Sequence, residues 1–383
     1  MRKVCLTFVV AAAMLASSTI ASANDAHNLC AHPMPASANV SPADDAIHLD
    51  ANGVPVHVYE QWYWNTVLVG LGKTFGVETI VFQFAFGPLI LDVAQIAFTD
   101  LSTGEFHNQF VWGGGGPFMP SPGYPYVPGG FDVDLSDGDG AFTATGGGGR
   151  DHLTFTFADG TTASIAYEGY KNPSASFFDG IGHYDDQVTG TTHGTQYYLQ
   201  RRSMIATGTI KRPGKQAVLA AGVGWYDRQW GTVIGTPGSQ ANNTYWKWFS
   251  IHLADDTQYM IWDMYAVDTG NSLIRVVNKM GPAPACTEQT FTNVTITGLG
   301  SPVSSAGPPP STLENANHIS IPADGIEIDV RMAHPRQVIE SGGLFSPFLE
   351  GMMTVTGRKN GNPILGTGYY EQFVPPGGCC QGV

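Results

Sequence analysis

Gly222-Val223-Gly224-Trp225-Tyr226-Asp227 and Gly366-Thr367-Gly368-Tyr369-Tyr370-Glu371 are two versions of one phrase. Each follows a β-branched strand and a glycine turn. Thr207-Gly208-Thr209-Ile210 and Gly214 precede the first copy, and Thr354-Val355-Thr356-Gly357 and Gly361 precede the second. A phrase repeated where a sheet would close predicts an all-β chain of two consecutive antiparallel β-domains. Each is a barrel or a strongly curved sheet.

The sequence on either side agrees. Tyr59 to Val69 is aromatic and β-branched, Gly70-Leu71-Gly72-Lys73 turns, and Phe75 to Phe86 returns as a second strand. Leu153–Phe157 and Thr161–Tyr167 form a hairpin around Asp159-Gly160. Further strands are expected at about 195–210, 216–226, 326–332, 349–356 and 364–373. The expected organisation is a signal peptide at 1–23, a polar arm at 24–55, a first domain at 56–232, a second at 233–378, and a Cys-containing tail at 379–383. Gly235-Thr236-Pro237-Gly238-Ser239 is the linker.

Composition narrows the class. The 383 residues include 48 Gly and 25 Pro but only 13% charged residues, too few for helical bundles or coiled coils. With 43% hydrophobic and 11% aromatic residues the chain can build a core, so disorder is excluded. The net charge of −14, and basic runs no longer than Lys211-Arg212 or Arg201-Arg202, argue against a nucleic-acid partner.

Arg2-Lys3, the apolar stretch Val4 to Leu15 and the small residues Ala21-Ser22-Ala23 read as a secretory signal cleaved near Ala23. No run is long enough for an integral membrane helix, which needs about 18–20 apolar residues. The mature protein is expected to be secreted or periplasmic. Cleavage leaves Cys30, Cys286, Cys379 and Cys380, and the adjacency of the last two suggests that Cys30 and Cys286 each tie to the tail.

Two constellations could carry chemistry. Trp246-Lys247-Trp248-Phe249-Ser250-Ile251-His252-Leu253 turns at Asp255-Asp256 and returns as Gln258 to Val267. A two-residue turn would set Trp248 opposite Asp263, His252 opposite Tyr259 and Trp246 opposite Tyr265. One face would then bury an acid and an imidazole among aromatic rings. Such a carboxyl loses solvation and can stay protonated as a general acid, while indole and phenol faces favour a developing cation by up to ~2 kcal/mol each. The competing reading is an ordinary core in which Asp263 accepts bonds from a Trp N–H or a Tyr hydroxyl.

The second constellation, Trp225-Tyr226-Asp227-Arg228-Gln229-Trp230-Gly231, sets an acid and a base between tryptophans. Its bland alternative is a domain-closing corner in which Asp227 pairs with Arg228 or caps backbone amides, an alternative that Glu371 at the repeated position favours. Glu60 or Glu78 could be a buried acid, but edge exposure explains each of them better. Asp132, Asp134, Asp137 and Asp139 miss the EF-hand spacing. The eleven histidines form no HxH or HExxH pair, so no zinc or other metal is called for. The tetraglycine opens no helix, and a GxSxG elbow is missing, which disfavours phosphate cradling and serine hydrolysis.

Several of these stretches resemble a known superfamily. Glu60-Gln61-Trp62-Tyr63-Trp64-Asn65 and Phe75-Gly76-Val77-Glu78-Thr79-Ile80-Val81-Phe82 are similar to the opening of the carotenoid 1,2-hydratase / kievitone hydratase superfamily. Gly224 to Gly231 resembles its central G-x-W-x-D-x-x-W-G signature, Trp246-Lys247-Trp248-Phe249 its next strand, and Gly366 to Glu371 its closing segment. The resemblance implies two lipocalin-like barrels with a hydrophobic cleft at or near their junction. It also implies a hydro-lyase that hydrates an isoprenoid double bond, or dehydrates a tertiary or allylic alcohol, without cofactor or metal. Arg228 stands where the signature often has histidine, which shifts weight onto Asp263.

Together the residues and the resemblance give these expectations. Asp263 or Asp227 is the acid and His252 or the second carboxylate the base. Trp225, Trp230, Trp248, Tyr265 and Tyr63 line the pocket for a small apolar or isoprenoid alcohol or alkene. A non-catalytic carrier of an apolar ligand, and a cofactor-free cyclase or isomerase, are the alternatives. The oligomeric state is left open.

Overall fold

The computed structural model describes residues 28–374, apart from 32–36, 38, 87–88, 117–118, 122–125, 128, 178, 186–191, 232–243, 268, 301, 305–311 and 341–346. The signal segment with Cys5, the linker at 235–239 and the tail with Cys379 and Cys380 lie outside the described residues.

Tyr59–Gly70 and Lys73–Phe86 form the first hairpin. Leu71 (φ 49°) and Gly72 (φ 71°) both take the left-handed conformation that a two-residue turn of matching twist requires. These strands begin a 13-stranded antiparallel sheet. Tyr59–Gly70 lies between Lys73–Phe86 and the closing strand Val218–Gly231. The sheet curls until its two ends are joined by side chains. Asp137 Oδ2 accepts from Trp112 N at 2.8 Å, and Gln109 Nε2 donates to Asp139 O at 3.0 Å.

The 10-stranded second sheet repeats the plan. Its first strand, Thr244–Leu253, lies between Gln258–Ala266 and the closing strand Asn362–Phe373. Both sheets are antiparallel half-barrels of lipocalin-like form, as the repeated phrase predicts. The described residues contain no α-helix, and no helix long and apolar enough to cross a membrane.

Side-chain alternation explains why strands of both sheets are buried on two faces. Trp62, Trp64 and Leu68 point into the first half-barrel with Phe75, Phe98 and Phe131. Phe249, Ile251 and Leu253 fill the second with Ile261, Ile328 and Tyr370. The alternate residues meet in a third core between the sheets, where Tyr63, Trp225 and Tyr198 pack with Trp246, Trp248 and Trp262.

The arm is less polar in its placement than its sequence suggests. Ser41 caps the short 3-10 turn Pro42–Asp45. That turn carries Asp45, fully buried, into an ion pair with Arg201 in which both nitrogen–oxygen distances are 2.7 Å. Upstream, Cys30 is disulfide-bonded to Cys286, and Leu29 N donates to Tyr170 O at 2.8 Å. The pairing corrects the expectation that these two cysteines tie separately to the tail. The arm brings Cys30 alongside the loop that carries Cys286, so they meet each other.

Candidate active site

The hairpin that carries the aromatic stripe pairs one residue out of the expected register. Leu253 N donates to Thr257 O at 2.9 Å, so three residues form the loop, with Asp256 left-handed at φ 63°. A one-residue slip turns the whole returning strand over. Trp248 therefore faces Trp262, Trp246 faces Met264, and Asp263 faces Lys247. Asp263 stands on the face that carries Ile261, and its carboxylate takes Arg275 Nε at 2.8 Å and the Tyr265 hydroxyl at 2.6 Å. Tyr265 stacks on Tyr245 at 4.9 Å. The structure does not bring Asp263 or Tyr265 to Trp248.

The central signature divides by alternation as well. Arg228 is buried on one face, paired with Glu60, and lies over Trp62 at 4.2 Å. Trp230, on that same side, stacks on His48 at 4.5 Å and Tyr197 at 5.5 Å, away from the inter-sheet cleft. Asp227 and Trp225 point the other way, between the sheets. So Asp227 does not pair with Arg228. Glu60 and Glu78, expected at an exposed edge, are both fully buried; Glu78 takes Gln95 Nε2 at 3.2 Å.

Between the sheets lies a cleft of about 620 Å³, counted out to its open mouth. Its walls are Ile80, Phe82, Trp246, Trp248, Trp262, Phe348 and Phe373. The polar groups are Gln61, Tyr63, Gln229, Asp227 and Glu371, with no basic side chain among them. The closing strand of each sheet supplies its acid at a matching position, opposite an aromatic residue of the first strand: Tyr63 pairs with Asp227 and Trp248 with Glu371. The two copies of the repeated phrase thus present one carboxylate each to the same space.

The two acids are held differently. Asp227 accepts from the Tyr198 hydroxyl, from Trp225 Nε1 at 2.6 Å and from Gln200 Nε2 at 2.9 Å. Tyr198 is itself fixed by Trp248 Nε1 at 3.1 Å. Burial pushes the Asp227 carboxyl up to about 7 against the pull of these donors. Glu371 accepts from Trp246 Nε1 at 2.8 Å. Burial, reinforced by the charge of Asp227, pushes Glu371 up to about 7 against that donor.

Behind them Glu350 pairs in register with Glu371 and accepts from the Tyr63 hydroxyl at 2.7 Å. Burial, then the neighbouring Glu78, Glu371 and Asp227, holds Glu350 well above the ordinary carboxylate range. Three carboxyls close together, all raised by burial and one of them rich in donors, are an arrangement suited to acid–base work.

His252 lies against the edge of Trp225 at 5.7 Å, and neither ring nitrogen has a hydrogen-bond partner among the described residues. Burial, with the Lys171 ammonium adding to it, lowers its pKa to about 4, so it is neutral near pH 7. It does not line the cleft. The structure therefore brings together Asp227, Trp248 and Tyr63, with Trp225 behind Asp227. Sequence reasoning missed Glu371 and Glu350 as site residues. The signal for Glu371 was its match to Asp227 in the repeat. Among the described residues no cluster of His, Cys, Asp and Glu is arranged to hold a metal ion.

The AttH-like family description matches residues 35–372, and the chain belongs to that family. Its fold is that of the AttH protein of Nitrosomonas europaea, 20% identical, with a TM-score of 0.68 over 89% of this chain and 98% of the other. It is also that of kievitone hydratase from Nectria haematococca, 16% identical, with a TM-score of 0.68 over 91% of this chain and 97% of the other. These matches bear out the resemblance to the carotenoid hydratase / kievitone hydratase superfamily. Among curated proteins none matches the chain by sequence.

Proposed function

We propose that the protein is a cofactor-independent hydro-lyase, interconverting an alkene and a tertiary or allylic alcohol of isoprenoid type in the inter-sheet cleft. The single observation that carries the reading is the pair of the buried Asp227 and the half-buried Glu371 among aromatic walls, with both carboxyls raised to about 7. The kievitone hydratase fold supports it. Domains at 56–232 and 233–378 would contribute one acid each.

In hydration, Glu371 gives its proton to one alkene carbon, and the adjacent carbon becomes cationic. The faces of Trp246, Trp248 and Trp262 stabilise that cation by up to ~2 kcal/mol each when dry. Asp227, in its ionised form and held by three donors, takes a proton from the attacking water as the carbon–oxygen bond forms. The net change is one water added and one proton moved from Glu371 to Asp227, and exchange with solvent restores the pair. Dehydration runs the steps backwards. A neutral, largely apolar substrate suits walls without a basic side chain, and Gln61 and Gln229 are placed to orient its hydroxyl.

The basic start of the chain, the Ala21-Ser22-Ala23 motif and the Cys30–Cys286 disulfide support an exported protein. The test is incubation of purified protein with tertiary allylic alcohols and their alkenes in ¹⁸O-labelled water. Enzyme-dependent alkene or labelled alcohol is the expected result. Unchanged compounds that stay bound to the protein would overturn the reading in favour of a carrier.

A further inference from the structure

Arg202 and Arg201 are adjacent, but the strand Thr192–Lys211 uses them separately. Arg201 faces the arm and pairs with Asp45. At Arg201 to Met204 the pairing with Val218–Gly231 shifts, so Arg202 and Ser203 together stand opposite Trp225. Arg202 is 1% exposed, and neither Nη1 nor Nη2 has a hydrogen-bond partner among the described residues. Its Nε alone is engaged, donating to Gln200 Oε1 at 2.8 Å. The other end of the same amide, Gln200 Nε2, donates to Asp227 Oδ1 at 2.9 Å.

We infer that Arg202 is a positioning residue that sets the proton affinity of Asp227 through the Gln200 amide. A guanidinium on the carbonyl oxygen polarises the amide and strengthens its N–H as a donor to the carboxylate. It also fixes which way the amide points, because Arg202 has no acceptor to offer. A buried cation with two idle nitrogens is a costly component for a core. Its one hydrogen bond leads to the acid in the cleft. The charged and titratable groups facing this relay are Glu288 and Tyr198 beside Arg202, Tyr198 on the Asp227 carboxylate, and Glu371 and Glu350 across the cleft. Among the described residues only the Arg202–Gln200 arm joins a cation to Asp227 by hydrogen bonds.

The inference bears on catalysis only if Asp227 is the base proposed above, so its test reads the carboxyl directly. The Asp227 carboxyl stretch, assigned by its loss in Asp227→Asn, is titrated by infrared difference spectroscopy in the wild type, Arg202→Met, Arg202→Lys, Gln200→Leu and the Arg202→Met/Gln200→Leu double variant. Arg202→Met is expected to move the titration upward by about 0.5–1 pH unit, Arg202→Lys by less, and Gln200→Leu by at least as much as Arg202→Met. Arg202→Met should add almost nothing on the Gln200→Leu background.

An unmoved titration in folded Arg202→Met overturns the inference. So does an equal shift with and without Gln200, which would mean a through-space charge rather than a relay. If Arg202→Met does not fold, an unmoved titration in Gln200→Leu overturns it as well. A relay demonstrated in a protein that turns over no alkenol would leave the inference standing and remove the hydro-lyase reading.

Discussion

Asp227 and Glu371 share one cleft yet differ in their donors, and from that difference two predictions follow at the level of single residues. The active form needs Glu371 protonated and Asp227 ionised. With both near 7 and each charge opposing the second ionisation, the rate should follow a narrow bell centred near neutrality. A rate that stays flat from about pH 5 to 9 would contradict it. The same shifts bear on stability. Both folded values lie above the ordinary carboxylate values of about 4, so the protonated form is favoured by folding. The resulting stabilisation is complete below about pH 4 and is lost as pH rises through 7. Calorimetry should show a falling contribution between about pH 4 and 7, and Glu371→Gln should flatten that fall. Of these residues Asp227, Trp225, Trp248 and Tyr63 were legible in the sequence. Glu371 was legible only as a repeat, because nothing local distinguishes a carboxylate that closes a sheet from one that lines a cleft.

At the scale of elements, strands and faces were readable where two-residue turns fix the pairing, as at Leu71-Gly72, and misleading where they do not. Asp255-Asp256 looks like a two-residue turn, but aspartate tolerates the left-handed conformation, and Asp256 uses it to close a three-residue loop. That one residue moved Asp263 from the cleft to the opposite face. The same loop is clasped by the first sheet. Lys171 Nζ lies 2.9 Å from Asp256 Oδ2 and donates to Asp256 O at 2.7 Å, Gln258 Oε1 at 2.8 Å and Gly281 O at 3.0 Å. Lys171→Met leaves these acceptors and the carboxylate without their cation. It should cost about 3–5 kcal/mol in a urea unfolding experiment; a loss under about 1 kcal/mol would mean the clasp is not holding the loop.

At the scale of the whole molecule, two half-barrels of like connectivity face each other across a buried polar seam. Tyr63 reaches Glu350, Asn65 Nδ2 reaches Ser250 Oγ at 3.1 Å, and Thr99 Oγ1 reaches Gln337 Oε1 at 2.8 Å. The sequence showed two β-domains, but not how they dock, since docking rests on pairs far apart in the chain. The Cys30–Cys286 disulfide closes a loop between positions separated by 256 residues. Replacing both by serine should lower stability by about 2–5 kcal/mol, read from the unfolding midpoint, with the cleft chemistry retained. An unchanged midpoint would show that the arm is held by its other contacts.

The central claim is that two carboxylates, one from each half-barrel, add or remove water between them. The most direct measurement is incorporation of ¹⁸O from labelled water into a tertiary allylic alcohol, comparing the wild type with Glu371→Gln and Asp227→Asn. The account predicts enzyme-dependent labelling in the wild type and a fall of about 10²–10⁴ in each folded variant. Labelling that survives undiminished in both folded variants would contradict it.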